Sequence, residues 1–198
     1  MLVLPSYFLL ISAAIRLFGG AVYVRAVLVG KAKPNALTWL LWGITPAITL
    51  VAALSVQETS NLVVTAALAL SPLIVSVVAV WKDKRSLKFD KFNTACAVLA
   101  VVGIALWYFT NNPSLAILLA ILADFVSSLP TVVKAKKQPT SEYPPTYIMS
   151  AIAMLLALLT IPSWTFINAS FMIYVFVLNM IIANLSTFGR LKQPRRRR

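Results

Sequence analysis

Leu129-Pro130-Thr131-Val132-Val133-Lys134-Ala135-Lys136-Lys137-Gln138-Pro139-Thr140-Ser141-Glu142 starts inside an apolar helix, kinks at a proline, emerges through three lysines and ends in a polar turn. A related turn lies upstream, where Tyr23-Val24-Arg25 is followed by Gly30-Lys31-Ala32-Lys33-Pro34-Asn35. Setting Pro34 opposite Pro139 puts Lys31 opposite Lys136 and Val27 opposite Val132, a shift of about 105 residues. The same shift sets Gly19 opposite Asp124, and one of about 107 sets Pro72 opposite Asn179. Two such turns at corresponding places point to a duplicated unit.

The surrounding chain is built for lipid. Of its 198 residues, 60% are hydrophobic and only 12% charged, a composition that a soluble domain of this size does not show. A bilayer crossing needs roughly 20 apolar residues, and seven windows satisfy that need: about 6–29, 36–56, 61–81, 93–110, 114–135, 146–162 and 168–189. Backbone groups in lipid must bond internally, so spans are helices or closed barrels; continuous apolar runs without alternation select helices. The expected fold is therefore an all-α membrane protein of seven transmembrane helices. Short loops place consecutive helices antiparallel and adjacent.

The net charge of +13 and the Arg195-Arg196-Arg197-Arg198 tail invite a nucleic-acid reading, but the charge map argues against one. Lysines and arginines gather at Lys31/Lys33, at Lys82 to Lys91, at Lys134 to Lys137 and from Arg190 onward, whereas the alternate loops around Gln57, Asn112 and Trp164 carry none. The positive-inside rule then sets the N-terminus outside and the C-terminus in the cytoplasm, with the basic loops against anionic lipid headgroups. The first apolar run has no basic residue before it and reads as a retained helix rather than a cleaved signal peptide. With one cysteine, Cys96, no intrachain disulfide can form, and its place in the fourth segment suggests an inert packed thiol. There is no histidine for metal or imidazole chemistry, no P-loop and no second carboxylate at depth beside Asp124. Enzymatic chemistry, cofactors and metals are accordingly not expected.

Polar residues inside the spans are the candidates for function. Arg16 and Asp124 each follow the outer end of their helix by roughly ten residues, so at 1.5 Å per residue their depths are similar. Together they can neutralise one another, as a static salt bridge or as a substrate- or proton-linked switch in which Asp124 protonates when the bridge opens. Trp39 and Trp42 share a helix face, either as an interfacial belt or, for Trp42, as a surface for solute or a gate. Thr45-Pro46 kinks the second helix, with the threonine hydroxyl free to satisfy a released carbonyl. Ser71-Pro72 and Ser76 mark the third helix, Ser127-Ser128 the fifth, and Asn179 and Asn184 the seventh, where the amides serve either solute hydroxyls or interhelical bonding. Asn35 is a candidate N-cap for the second helix.

Read as LPTxxKxxKxxPTSE, residues 129–142 resemble the signature of PQ-loop and SWEET-type transporters, with Thr131 standing where the glutamine of the Pro-Gln pair is expected. The resemblance covers nearly the whole chain as topology and is motif-specific around 127–142 and, more weakly, 23–39. It implies a 3+1+3 plan: a first three-helix bundle with its loop (1–92), a linker helix (93–113) and a second bundle (114–198), related by an axis along the membrane normal. It further implies alternating access to a central site for a small solute, sugars above all. Asn179 or Asn184 takes the seventh-helix role, Trp42 the aromatic role, and Ser71 and Ser76 replace the missing third-helix asparagine. Pro130 and Pro46 become hinges, with Pro144 or Pro145 on the sixth helix, while Arg25 occupies the place of the first-helix proline.

The function expected is a gradient-driven transporter of a small polar solute. The alternative is a non-transporting receptor or scaffold on the same fold. The partners implied are that solute and the bilayer, with no nucleic acid, and homo-oligomerisation is left open. The compact loops and strong charge alternation suit a bacterial inner membrane.

Overall fold

The computed structural model of the protein describes residues 4–55, 57, 61–87, 91–110 and 112–192, with several side chains of the fourth helix outside that description. The readings placed on Cys96 and on the arginine tail fall outside it. The described residues form, in order, the α-helices α1 (Tyr7–Leu28), α2 (Ala36–Ser55), α3 (Leu62–Lys82), α4 (Lys91–Thr110), α5 (Pro113–Lys137), α6 (Pro144–Leu158) and α7 (Phe166–Lys192). No strand occurs among the described residues.

Local chemistry sets the helix ends. α1 stops at Gly30, whose φ of +76° few other residues adopt, while Lys31 N–H bonds back to Ala26 O at 2.8 Å. Asn35 caps α2 as its sequence position predicts, Oδ1 accepting from Leu37 N–H at 3.1 Å. Asn112 does the same for α5 through Leu115 N–H, with Pro113 in the first turn, where a missing N–H costs nothing. Pro46, Pro72 and Pro130 all lie inside continuous helices.

Five helices, α1, α2, α3, α5 and α7, are long and apolar enough to cross a membrane, an architecture suited to a multi-pass membrane protein. Their outward faces agree, presenting Phe18, Val77, Phe125 and Ile181 as exposed apolar side chains. α6 is shorter than the window 146–162. It ends at Leu158 because Thr160 folds back, N–H and hydroxyl both donating to Ala157 O, and Pro162 follows. Its 15 residues span only about 22 Å.

The expectation that consecutive helices are mutual neighbours needs correction. α3 packs against both α1 and α2, and α7 against both α5 and α6, so the third helix of each run lies between the first two. The connecting segments 29–35 and 138–143 are long enough, at roughly 3.3 Å per extended residue, to step across a helix diameter of about 10 Å. α1 also packs on α6 and α2 on α5, while α4 lies against the outside of α5.

Small residues make these approaches close. A Cβ added at Gly43 would collide with the side chain of Leu73 and press on the Ala69 carbonyl. One added at Gly20 would collide with the Ser71 hydroxyl. At the lysine-rich end the two turns are tied together: Lys33 N–H donates to Ser141 O at 3.1 Å and Lys134 Nζ to Lys33 O at 2.7 Å. Lys82 Nζ donates to the Val27 and Leu28 carbonyls at the end of α1.

Gly43→Ala should therefore overpack the α2–α3 seam and destabilise by about 1–3 kcal/mol, read as a lower Tm in detergent. Gly19→Ala, whose Cβ meets the Met149 Cβ at 3.1 Å and no backbone closer than 3.6 Å, should cost less. An unchanged Tm for Gly43→Ala would mean that α2 and α3 do not approach this closely.

Candidate functional site

Six helices, all but α4, converge on an internal cavity of about 40 Å³. Arg16 comes from α1, Trp42 and Pro46 from α2, Pro72 from α3, Asp124 from α5, Thr146 and Ser150 from α6 and Asn179 from α7. Towards the lysine-rich end its walls are Trp39, Tyr147 and Ile182; towards the other end they are Leu68, Phe171 and Val175. Two helix-breaking prolines facing one cavity fit the rule that irregular backbone in a membrane is tolerated where it lines a protected space.

Arg16 and Asp124 both reach this cavity, each almost wholly buried. The expected salt bridge between them is not formed; the ion pair among the described residues is Lys134–Glu142. Each charge has its own partners instead. Arg16 Nη1 donates to Ser71 Oγ at 3.0 Å, and its Nε has no partner. The Thr45 hydroxyl donates to Asp124 Oδ1 at 2.5 Å, and the Tyr174 hydroxyl donates to Oδ2 at 2.8 Å. Hydrogen bonds to an ionised group are worth about 1.5–3 kcal/mol each, so the two hydroxyls hold the carboxylate in place without a salt bridge. Thr45 thus serves Asp124 as well as lying 3.1 Å from Leu41 O, the backbone role expected of it.

Other candidates divide clearly. Trp42 and Asn179 line the cavity; the Trp42 indole N–H is buried without a partner, and Asn179 Nδ2 donates to Val175 O at 2.8 Å. Ser71 acts through Arg16. Ser76 donates to Ala36 O at 2.8 Å and ties α3 to the start of α2 instead. Asn184 is exposed on the outer face of α7 among Phe176, Met180 and Ile181, apart from the cavity. Pro130 is half-buried within α5 and lies outside the cavity wall. Trp39 is no interfacial belt residue: it is 2% exposed and packs on Tyr23, ring centroids 4.3 Å apart.

Below the cavity lies an arrangement that sequence reasoning missed. Glu142 is fully buried, and its Oε2 accepts from the hydroxyls of Tyr23 at 2.8 Å and Tyr147 at 2.6 Å. Lys134 Nζ stands 2.6 Å from Oε1, and Arg190 donates to the Glu142 carbonyl. Tyr23, Trp39 and Tyr147 form one aromatic cluster above this carboxylate. The signal was present in the sequence, since Glu142 is the single acid in a lysine-rich turn directly before a Tyr-Pro-Pro. Tyr174, Thr146 and Ser150 gave weaker signals, as single uncharged polar residues in apolar runs, and Thr45 was read only as a partner for a released carbonyl.

No family model, no curated protein and no solved structure matches the chain.

Removing Glu142 leaves two buried tyrosine hydroxyls and a lysine without their acceptor. Glu142→Ala should destabilise by about 2–3 kcal/mol, seen as a lower Tm followed by tryptophan fluorescence. Tyr23→Phe should cost less, since Glu142 keeps Tyr147 and Lys134. Equal Tm values for Glu142→Ala and wild type would show that the network contributes nothing.

Proposed function

We propose that this chain is a transporter of a small polar solute, working by alternating access between two three-helix units in the manner of the PQ-loop and SWEET-type proteins it resembles. The observation that carries the reading is the cavity, to which charged and polar side chains from α1, α2, α5, α6 and α7 contribute. Four of its polar atoms, Arg16 Nε, Trp42 Nε1, Thr146 Oγ1 and Ser150 Oγ, are buried with no partner. Buried polar groups are rarely left unpaired, and a site that receives a polar ligand supplies a reason for four together.

The packing pattern supports two related units. The order of contact is α1–α3–α2 in one run and α5–α7–α6 in the other. The crossings between runs, α1 on α6 and α2 on α5, exchange when one run is laid on the other. Each crossing carries one buried bond from a hydroxyl: Ser12 to Ala153 O at 2.6 Å and Thr45 to Asp124 at 2.5 Å. On this reading α4 is the linker, the lysine-rich end faces the cytoplasm by the positive-inside rule, and the Tyr23–Trp39–Tyr147–Glu142 cluster is the inner gate. Opening that gate separates α1 and α2 from α6, with Glu142 as the latch.

Purified protein in liposomes should carry small polar solutes down their gradients with saturable counterflow. Asp124→Asn keeps an acceptor for Thr45 but cannot accept from Tyr174 at the amide nitrogen. It should lower flux at least about tenfold, the equivalent of ~1.4 kcal/mol, and alter its pH dependence. Flux no greater than in empty liposomes across sugars, polyols, amino acids and organic acids would favour the receptor or scaffold reading.

A further inference from the structure

We infer that the solute held in the cavity is a small monocarboxylate, bound through Arg16 and the Trp42 indole N–H, and that a proton enters with it. The inference rests on the transporter reading and names its substrate class.

Size is the first constraint. A water needs about 10–15 Å³ of such space, so a cavity of about 40 Å³ holds roughly three waters. That is the room of a lactate-sized molecule and well short of a hexose.

Donor and acceptor inventory is the second. Arg16 Nε and Trp42 Nε1 are donors only, both are buried and unpartnered, and both residues line the cavity. The hydroxyls of Thr146 and Ser150 are free to donate as well. The one carboxylate on the wall, Asp124, already accepts a hydroxyl on each oxygen, so about half of its roughly four acceptor sites are taken and it attracts a ligand's ammonium less than a bare carboxylate would. A set of free donors around an arginine selects an anion, and a planar guanidinium matches a carboxylate best.

Charge balance is the third. Arg16 and Asp124 sum to zero, so an entering monoanion leaves the cavity with one net negative charge in a low dielectric. One proton restores neutrality, and Asp124 is where it can reside. The charged and titratable groups near Asp124 are Arg16 from α1, Tyr174 from α7 and Tyr147 from α6. α2 brings only the Thr45 hydroxyl, and the described side chains of α4 bring no such group to the cavity.

The test is ligand-dependent stabilisation of the detergent-purified protein with lactate, alanine and glycerol, an anion, a zwitterion and a neutral molecule of matched size, and with glucose. Binding to the folded state raises Tm by mass action. Lactate should raise Tm, more at about pH 6 than at about pH 8, a range far enough above the ordinary carboxylic-acid range that lactate itself stays ionised throughout. Trp42→Phe, which keeps an aromatic ring and deletes the N–H, should raise the lactate concentration for half the shift at least about tenfold. Arg16→Gln should abolish the shift; if that variant does not fold, Trp42→Phe decides alone. Asp124→Asn should bind lactate with no pH dependence between those values. A shift with glycerol, glucose or alanine but not lactate overturns the carboxylate assignment and leaves solute transport standing. A lactate shift unaltered in Trp42→Phe overturns the site. No shift with any of the four overturns the inference, and only when joined by absent flux in liposomes does it sink the transporter reading as well.

Discussion

The burial of Arg16 and Asp124 against separate partners is the constraint on which the centre of this molecule depends. An isolated charge in an apolar interior costs several kcal/mol, and direct pairing is the simplest relief. Here the carboxylate takes hydroxyls from α2 and α7, and the guanidinium takes one from α3. Five helices are thereby committed to one depth. α1 must lie close enough to α3 for Arg16 to reach Ser71, and Gly20, one turn along, clears the space for it. α5 must cross α2 at Thr45 for Asp124 to meet its hydroxyl.

A second polar knot closes the lysine-rich end. Glu142 sits in the turn between α5 and α6 yet is buried by Tyr23 of α1 and Tyr147 of α6, with Lys134 of α5 beside it. A charged group in that place joins three helices and both long turns at once. Between the two knots lies the cavity, and beyond it an apolar cluster of alanines with Val64, Ile117, Met154 and Ile161 fills the opposite end. The polar groups are thus stacked along the bundle in two layers with a small space between. That space is walled by the upper layer through Arg16 and Asp124 and by the lower one through Trp39 and Tyr147.

The kind of molecule was legible along the chain: apolar runs set by the thickness of a bilayer, helices set by the need to bond backbone groups internally, and ends set by Asn35, Gly30, Asn112 and the prolines. These are local or one-dimensional properties, and the windows agree with the helices except at the end of α6. Arg16, Asp124, Trp42, Pro46 and Asn179, which line the cavity, had also been singled out along the chain, the charged and polar ones because polarity at depth in an apolar run is itself a signal. Which residues meet was set by packing. That α3 and α7 lie between their predecessors depends on how long turns step across a helix, which periodicity does not encode. That Arg16 and Asp124 share a cavity without pairing, that Trp39 is core rather than belt, and that Asn184 lies outside depend on rotation of each helix about its axis. An α-helix turns by about 100° per residue, so a polar residue's depth can be read along the chain, but the side it faces is set by the helices packed around it.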